Sequence, residues 1–104
     1  MMTVRAGRLA IDLTTYRVLL DEQPLLLSYR QYALLVYLAT HAGHVVSKRR
    51  LLEEGLGRHD HEGLRVVDEL IRHLKSKIEY ENTCVIESMG EAGYRFLPHP
   101  DQRA

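Results

Sequence analysis

The stretch Leu64–Glu79, LRVVDELIRHLKSKIE, is compatible with few folds. Val67, Ile71, Leu74 and Ile78 recur at the spacing of one buried helical stripe. Arg65, Glu69, Arg72, His73, Ser76 and Lys77 fall between them and must point outward. The helix is therefore half core and half hydrogen-bonding surface, and its outward side chains are of kinds that read base edges or grip phosphates. A glycine-punctuated segment follows. There Cys84–Ser88 and Gly93–Leu97 read as two strands joined by Met89-Gly90-Glu91-Ala92, after a turn at Glu81-Asn82-Thr83.

The rest of the chain supplies partners for that helix. Leu9, Ile11 and Leu13 alternate with Ala10 and Asp12, and Tyr16–Leu20 alternates again. Asp21-Glu22-Gln23 reads as a turn and Pro24–Leu27 as a short edge strand, so the first third is a small antiparallel meander. Ser28-Tyr29-Arg30-Gln31 fits a capping box opening a helix over 29–40. Tyr32, Leu34, Leu35, Leu38 and Ala39 form its apolar face, and Gly43 is placed to end it in a left-handed conformation. Val45 and Val46 make a short apolar bridge. Ser47 caps a second helix over 48–56, with Leu51, Leu52 and Leu56 facing the core. Residues 1–6 are expected to be a flexible start, 7–97 the folded domain and 98–104 a tail.

At 104 residues this is one domain with a modest core. No apolar run approaches ~18 residues, so no membrane span is expected. The opening MMTVRAG lacks the apolar region of a secretory signal. Cys84 is the single cysteine, and its apolar neighbours favour a buried, inert thiol; a reducing cytoplasm is expected. The 14 basic residues balance the 14 acidic ones, which weighs against strong nonspecific binding to nucleic acid. The charge is uneven, however. Residues 47–77 carry eight Lys/Arg against six Asp/Glu, and residues 78–104 carry two against five. His59-Asp60-His61 is the only close histidine cluster, and it has no second ligand pair at zinc spacing, so no metal or cofactor is expected. Motifs for phosphate-loop, serine-hydrolase or paired-carboxylate chemistry are absent, so an enzyme is not expected.

Four segments then stand in a telling order. They are Leu27-Ser28 with Tyr32-Ala33-Leu34-Leu35, Gly43-His44-Val45-Val46-Ser47-Lys48, Val67-Asp68 with Ile71–Ile78, and Ile86 with Gly93-Tyr94-Arg95-Phe96. From Gly7 to Leu97 this order resembles the OmpR/PhoB-type winged-helix domain, the DNA-binding effector half of many bacterial two-component response regulators. The resemblance implies an α+β fold: a winged helix-turn-helix with a small N-terminal antiparallel sheet, three helices and a C-terminal β-hairpin wing. It implies that the third helix is the recognition helix in the major groove and that the wing reaches an adjacent minor groove. The loop 55–63 would be a contact surface for RNA polymerase. The receiver domain that normally precedes this module lies outside these residues, and an excised C-terminal half and a stand-alone protein both fit.

The second helix carries an independent argument. Lys48, Arg49 and Arg50 occupy its first turn, where cations oppose the helix dipole, and a bound phosphate would supply the missing complement. By the resemblance, Arg49 stands where an acidic residue is usual. On the third helix, Arg65, Arg72 and His73 match DNA-contacting positions of the family. Arg72 is expected to pair with guanine, Lys75 or Lys77 to hold phosphates, and Ser76 to lie on the same face. Asp68 matches a family residue with a structural role. Glu69 would accept from a cytosine amino group or repel phosphate, and Leu70 would touch a thymine methyl or pack in a dimer. On the wing, Glu87, Gly90 and Glu91 stand where basic residues are usual, which leaves Arg95 as its cation; Tyr94 is expected in the core. The reading is sequence-specific duplex DNA binding by a transcriptional regulator, acting as a homodimer on paired half-sites. Zero net charge and the acidic wing support the alternative, a winged-helix protein-interaction module.

Overall fold

The computed structural model describes residues 3–58, 63–79 and 85–98. The expected turn at 81–83, Cys84, the histidine cluster and the tail beyond Pro98 lie outside the described residues. β1 (Thr3–Ala6), β2 (Leu9–Asp12), β3 (Arg17–Leu20) and β4 (Gln23–Pro24) form an antiparallel sheet in that order. Alternation sorts the side chains: Leu9, Ile11 and Val18 are buried, with Ile11 opposite Val18, while Arg5 and Arg17 are exposed. Residues 3–6 are not a loose start. Val4 pairs with Ile11 and packs against the core, which gives this short segment a reason to order.

The capping box forms as the sequence indicates. Gln31 N–H donates to Ser28 Oγ at 3.1 Å, and Gln31 Oε1 accepts from Ser28 N–H at 3.0 Å. The helix it opens, α1 (Tyr29–Thr40), buries Tyr32, Leu34, Leu35, Leu38 and Ala39. Tyr32 ties α1 to the sheet by donating its hydroxyl to the Asp12 carbonyl at 3.1 Å. The helix is capped at His41 rather than Gly43, yet Gly43 does adopt the left-handed conformation, with φ +85°. There its N–H reaches the Phe96 carbonyl at 2.9 Å.

β5 (Val45–Val46) is more than a bridge. It is the third strand of a second antiparallel sheet, ordered β5-β7-β6, with β6 (Val85–Ser88) and β7 (Tyr94–Leu97) forming the wing. The second helix differs from its expected regular course. α2 (Lys48–Arg50), capped by Ser47 Oγ, passes into a π-helical turn over Leu51–Gly55. Leu56 N–H bonds to the carbonyls of Leu51 at 3.0 Å and Leu52 at 3.2 Å, which widens the turn. Gly55 lets this turn approach α1, since a Cβ there would sit 3.3 Å from Leu34 Cδ2.

α3 (Gly63–Ile78) lays its predicted stripe of Val67, Ile71, Leu74 and Ile78 into the core, each 1% exposed or less. These residues join Leu34, Leu35 and Leu38 of α1, Leu51 and Leu52, and Ile86 and Phe96 of the wing in one apolar cluster. Gly93, before β7, has φ +123°, and a Cβ there would lie 2.0 Å from the Val46 carbonyl oxygen. Gly93→Ala is therefore expected to cost more than ~2 kcal/mol. That corresponds to a melting temperature lower by roughly 10 °C or more for a domain of this size. Thermal unfolding followed by circular dichroism checks it; a shift within about 2 °C would mean that β5 and the wing turn separate without cost.

Candidate nucleic-acid interface

Whether α3 presents a reading surface depends on which of its polar side chains the fold consumes. Asp68 is consumed. Its Oδ1 accepts the Tyr94 hydroxyl at 2.6 Å and lies 3.1 Å from Lys48 Nζ, which also donates to Oδ2 at 3.2 Å. One carboxylate thus joins α3, the start of α2 and the wing. Lys48 Nζ also stands 5.9 Å from the centre of the Tyr94 ring. Burial, then the Asp68 hydrogen bond, pushes the Tyr94 phenol up, so it stays a donor at physiological pH.

Lys75 is consumed as well. Its Nζ donates to the Ile86 carbonyl at 2.8 Å and lies 3.7 Å from Glu79 Oε2, while Glu79 Oε1 accepts the Ile86 N–H at 2.7 Å. The pair grips both backbone groups of one wing residue. Lys77 reaches the other way, donating to the Leu26 carbonyl at 2.9 Å and to Gln31 Oε1 at 3.2 Å. Ser76 Oγ donates locally to the His73 carbonyl at 2.6 Å.

What remains on α3 is Arg65, Glu69, Arg72 and His73. All four are exposed, and none has a side-chain hydrogen bond or ion pair among the described residues. Their spacing places them on the face opposite the buried stripe.

The basic turn of α2 is balanced locally. Arg49 pairs with Glu53 at 3.3 Å and Arg50 with Glu54 at 3.1 Å, each four residues on. Arg50 also donates to the Tyr37 hydroxyl at 2.9 Å. The hydrogen bond from Arg50, then that from Tyr37, holds Glu54 below its ordinary range. The conflict with the helix dipole is thereby offset, a compensation that the i, i+4 spacing already signals. Lys48 differs from its two neighbours in being held by Asp68. On the wing, Arg95 pairs with Glu87 on the adjacent strand, opposite it in register. Glu91 is exposed in the 3₁₀ turn Gly90–Ala92.

Among the described residues no helix is long and apolar enough to cross a membrane, and no group of three or more His, Cys, Asp or Glu side chains is placed to hold a metal.

The distinction between consumed and free side chains is testable on stability alone. Lys75→Met removes the hydrogen bond to the Ile86 carbonyl and is expected to cost about 1 kcal/mol. Arg72→Ala touches no partner and is expected to stay within about 0.5 kcal/mol of the parent. Denaturant unfolding of both variants reads the difference, and equal losses would contradict the division.

Comparison with known proteins gives three kinds of match. Residues 22–96 match the family model described as transcriptional regulatory protein, C terminal. The two-component response regulator PhoP of Pseudomonas aeruginosa is 35% identical over 77 residues, covering 74% of this chain and 34% of that protein. The transcriptional regulatory protein SrrA of Staphylococcus aureus is 33% identical over 91 residues, covering 85% and 38%. The chain thus spans little more than a third of the length of these curated relatives. Among solved structures, the Klebsiella pneumoniae RstA DNA-binding domain in complex with RstA box superposes with TM-score 0.83 at 32% identity, covering 95% of this chain and 100% of that one.

Proposed function

The chain belongs to the family of transcriptional regulatory protein C-terminal domains, and we propose that it binds duplex DNA sequence-specifically as the effector module of a bacterial two-component regulator. The observation that carries this reading is the free stripe of Arg65, Glu69, Arg72 and His73 on α3. A helix that spends its other polar groups on holding the fold together leaves these four for a partner. Laid in the major groove, they reach base edges and flanking phosphates.

The candidate contacts divide by what they would give up. Arg49 and Arg50 sit in exposed pairs with Glu53 and Glu54, and such pairs are weak enough to be exchanged for phosphate. They are the phosphate clamps of this reading. Lys48, Lys75 and Lys77 would have to abandon bonds that hold α2, the wing and the segment entering α1, so they act as struts. Ser76 supports the base-reading stripe from its end. Arg95, already paired with Glu87, contributes little positive charge to a minor groove. The reading also includes a homodimer on paired half-sites, contact with RNA polymerase through loop 55–63, and a cytoplasmic location; these rest on the family likeness, and residues 59–62 of the loop are outside the described set. No enzymatic step is part of it.

The acidic wing favours a second reading, a module that binds protein through the hairpin. The deciding experiment is selection from random duplex DNA at low salt, where an enriched motif is expected and none would sink the DNA reading. On the best site, Arg72→Ala should cost ~1–3 kcal/mol and relax one or two positions. Replacing Arg49 and Arg50 together with Ala should weaken all duplexes alike and flatten the salt dependence by about one unit per lost phosphate contact. Loss spread evenly over all sequences for Arg72→Ala would reassign it to phosphate. A salt slope that does not move in the double variant would take both arginines out of the interface.

A further inference from the structure

We propose that Glu69 is a specificity determinant that selects a cytosine in the major groove by accepting a hydrogen bond from its N4 amino group. The inference rests on the DNA reading above and deepens it.

Glu69 is an acid in a place that ought to exclude one. It is exposed, on the same outward stripe as Arg65 one turn before it and Arg72 and His73 one turn after, and it has no partner among the described residues. The adjacent carboxylate, Asp68, is bound to Tyr94 and Lys48. Glu69 is therefore not held in the fold as Asp68 is. A free carboxylate that enters a groove lined by phosphates is repelled unless it meets a donor there. Base edges in the major groove offer only two, the N4 amino of cytosine and the N6 amino of adenine; guanine and thymine present acceptors alone.

Chemistry separates these two. Adenine sets its N6 donor beside the N7 acceptor, a pattern that Asn or Gln matches with one donor and one acceptor. A carboxylate has no donor and would face N7 lone pair to lone pair. Cytosine sets no acceptor beside N4. Its paired guanine carries O6 and N7, the complement of a guanidinium, and Arg65 and Arg72 flank Glu69 on the same face. An acid between two arginines thus suits a C·G pair bordered by, or shared with, an arginine-read guanine.

The experiment is parallel selection from random duplexes with the parent chain and Glu69→Gln, followed by affinity measurement on the parent's best site and on the same site with the selected cytosine changed to thymine or adenine. The parent should enrich cytosine at one position and lose about tenfold or more on either change. Glu69→Gln should lose that preference or shift it to adenine, keep the preference at other positions, and bind unselected duplex more tightly at low salt because one repulsive charge is gone. A parent motif that survives Glu69→Gln unchanged at every position overturns this inference alone. A parent that enriches no motif overturns the DNA reading, and this inference with it. Because Glu69 is exposed and unpartnered, matching melting curves of the two proteins exclude a folding effect.

Discussion

The Asp68 carboxylate sets the geometry on which the candidate interface depends. Its bonds to the Tyr94 hydroxyl and the Lys48 ammonium fix three elements that the chain supplies far apart in sequence. The lysine pair is partly exposed and contributes little by itself. The tyrosine bond matters more, because it gives the hydroxyl of the buried Tyr94 a charged acceptor, a kind of hydrogen bond that contributes about 1.5–3 kcal/mol. Lys75 and Glu79 repeat the arrangement two turns on, against the backbone of Ile86. α3 is thus fastened by polar contacts beside its buried stripe, and these contacts leave its opposite face unspent.

This division also bears on how a chain of zero net charge could bind a polyanion. Most cations near α2, α3 and the wing already have an acidic or carbonyl partner within the fold. With those charges paired, the long-range field is weakened, and on the proposed DNA reading affinity for arbitrary duplex is expected to be low. Binding of that kind would lean on short-range complementarity at a few side chains, and discrimination between sequences would take a larger share of the total.

Strong periodicity and local capping made the helices legible. The 3.6-residue stripe of α3, the apolar face of α1 and the Ser28–Gln31 box are local patterns, and each appears in the structure as read. The wing strands are legible for a similar reason, while β5 is not legible as a strand because two residues carry no periodicity and its pairing partner Tyr94–Arg95 lies about fifty residues away. β1 is hidden in the sequence because Val4 gains its reason to order only from Ile11 across the sheet. At the candidate site, exposure was predictable from spacing, but consumption was not. Lys77 reads as a solvent-facing cation until the chain brings Leu26 and Gln31 beside it. The partners of Arg49 and Arg50 were within reach of sequence, being four residues on, whereas those of Lys48 and Lys75 required the tertiary fold.

Gln31 Oε1 accepts both the Ser28 N–H, which closes the cap of α1, and the Lys77 ammonium near the end of α3. One oxygen atom therefore belongs to the first turn of one helix and the last turn of another. Fraying at the two sites is therefore expected to be coupled, since displacing the Gln31 side chain would undo the α1 cap and strip Lys77 of one of its two acceptors. In the language of native-state exchange, that shared acceptor would draw the amides around Ser28 and those at the end of α3 towards one opening unit, although they are separated by nearly half the chain.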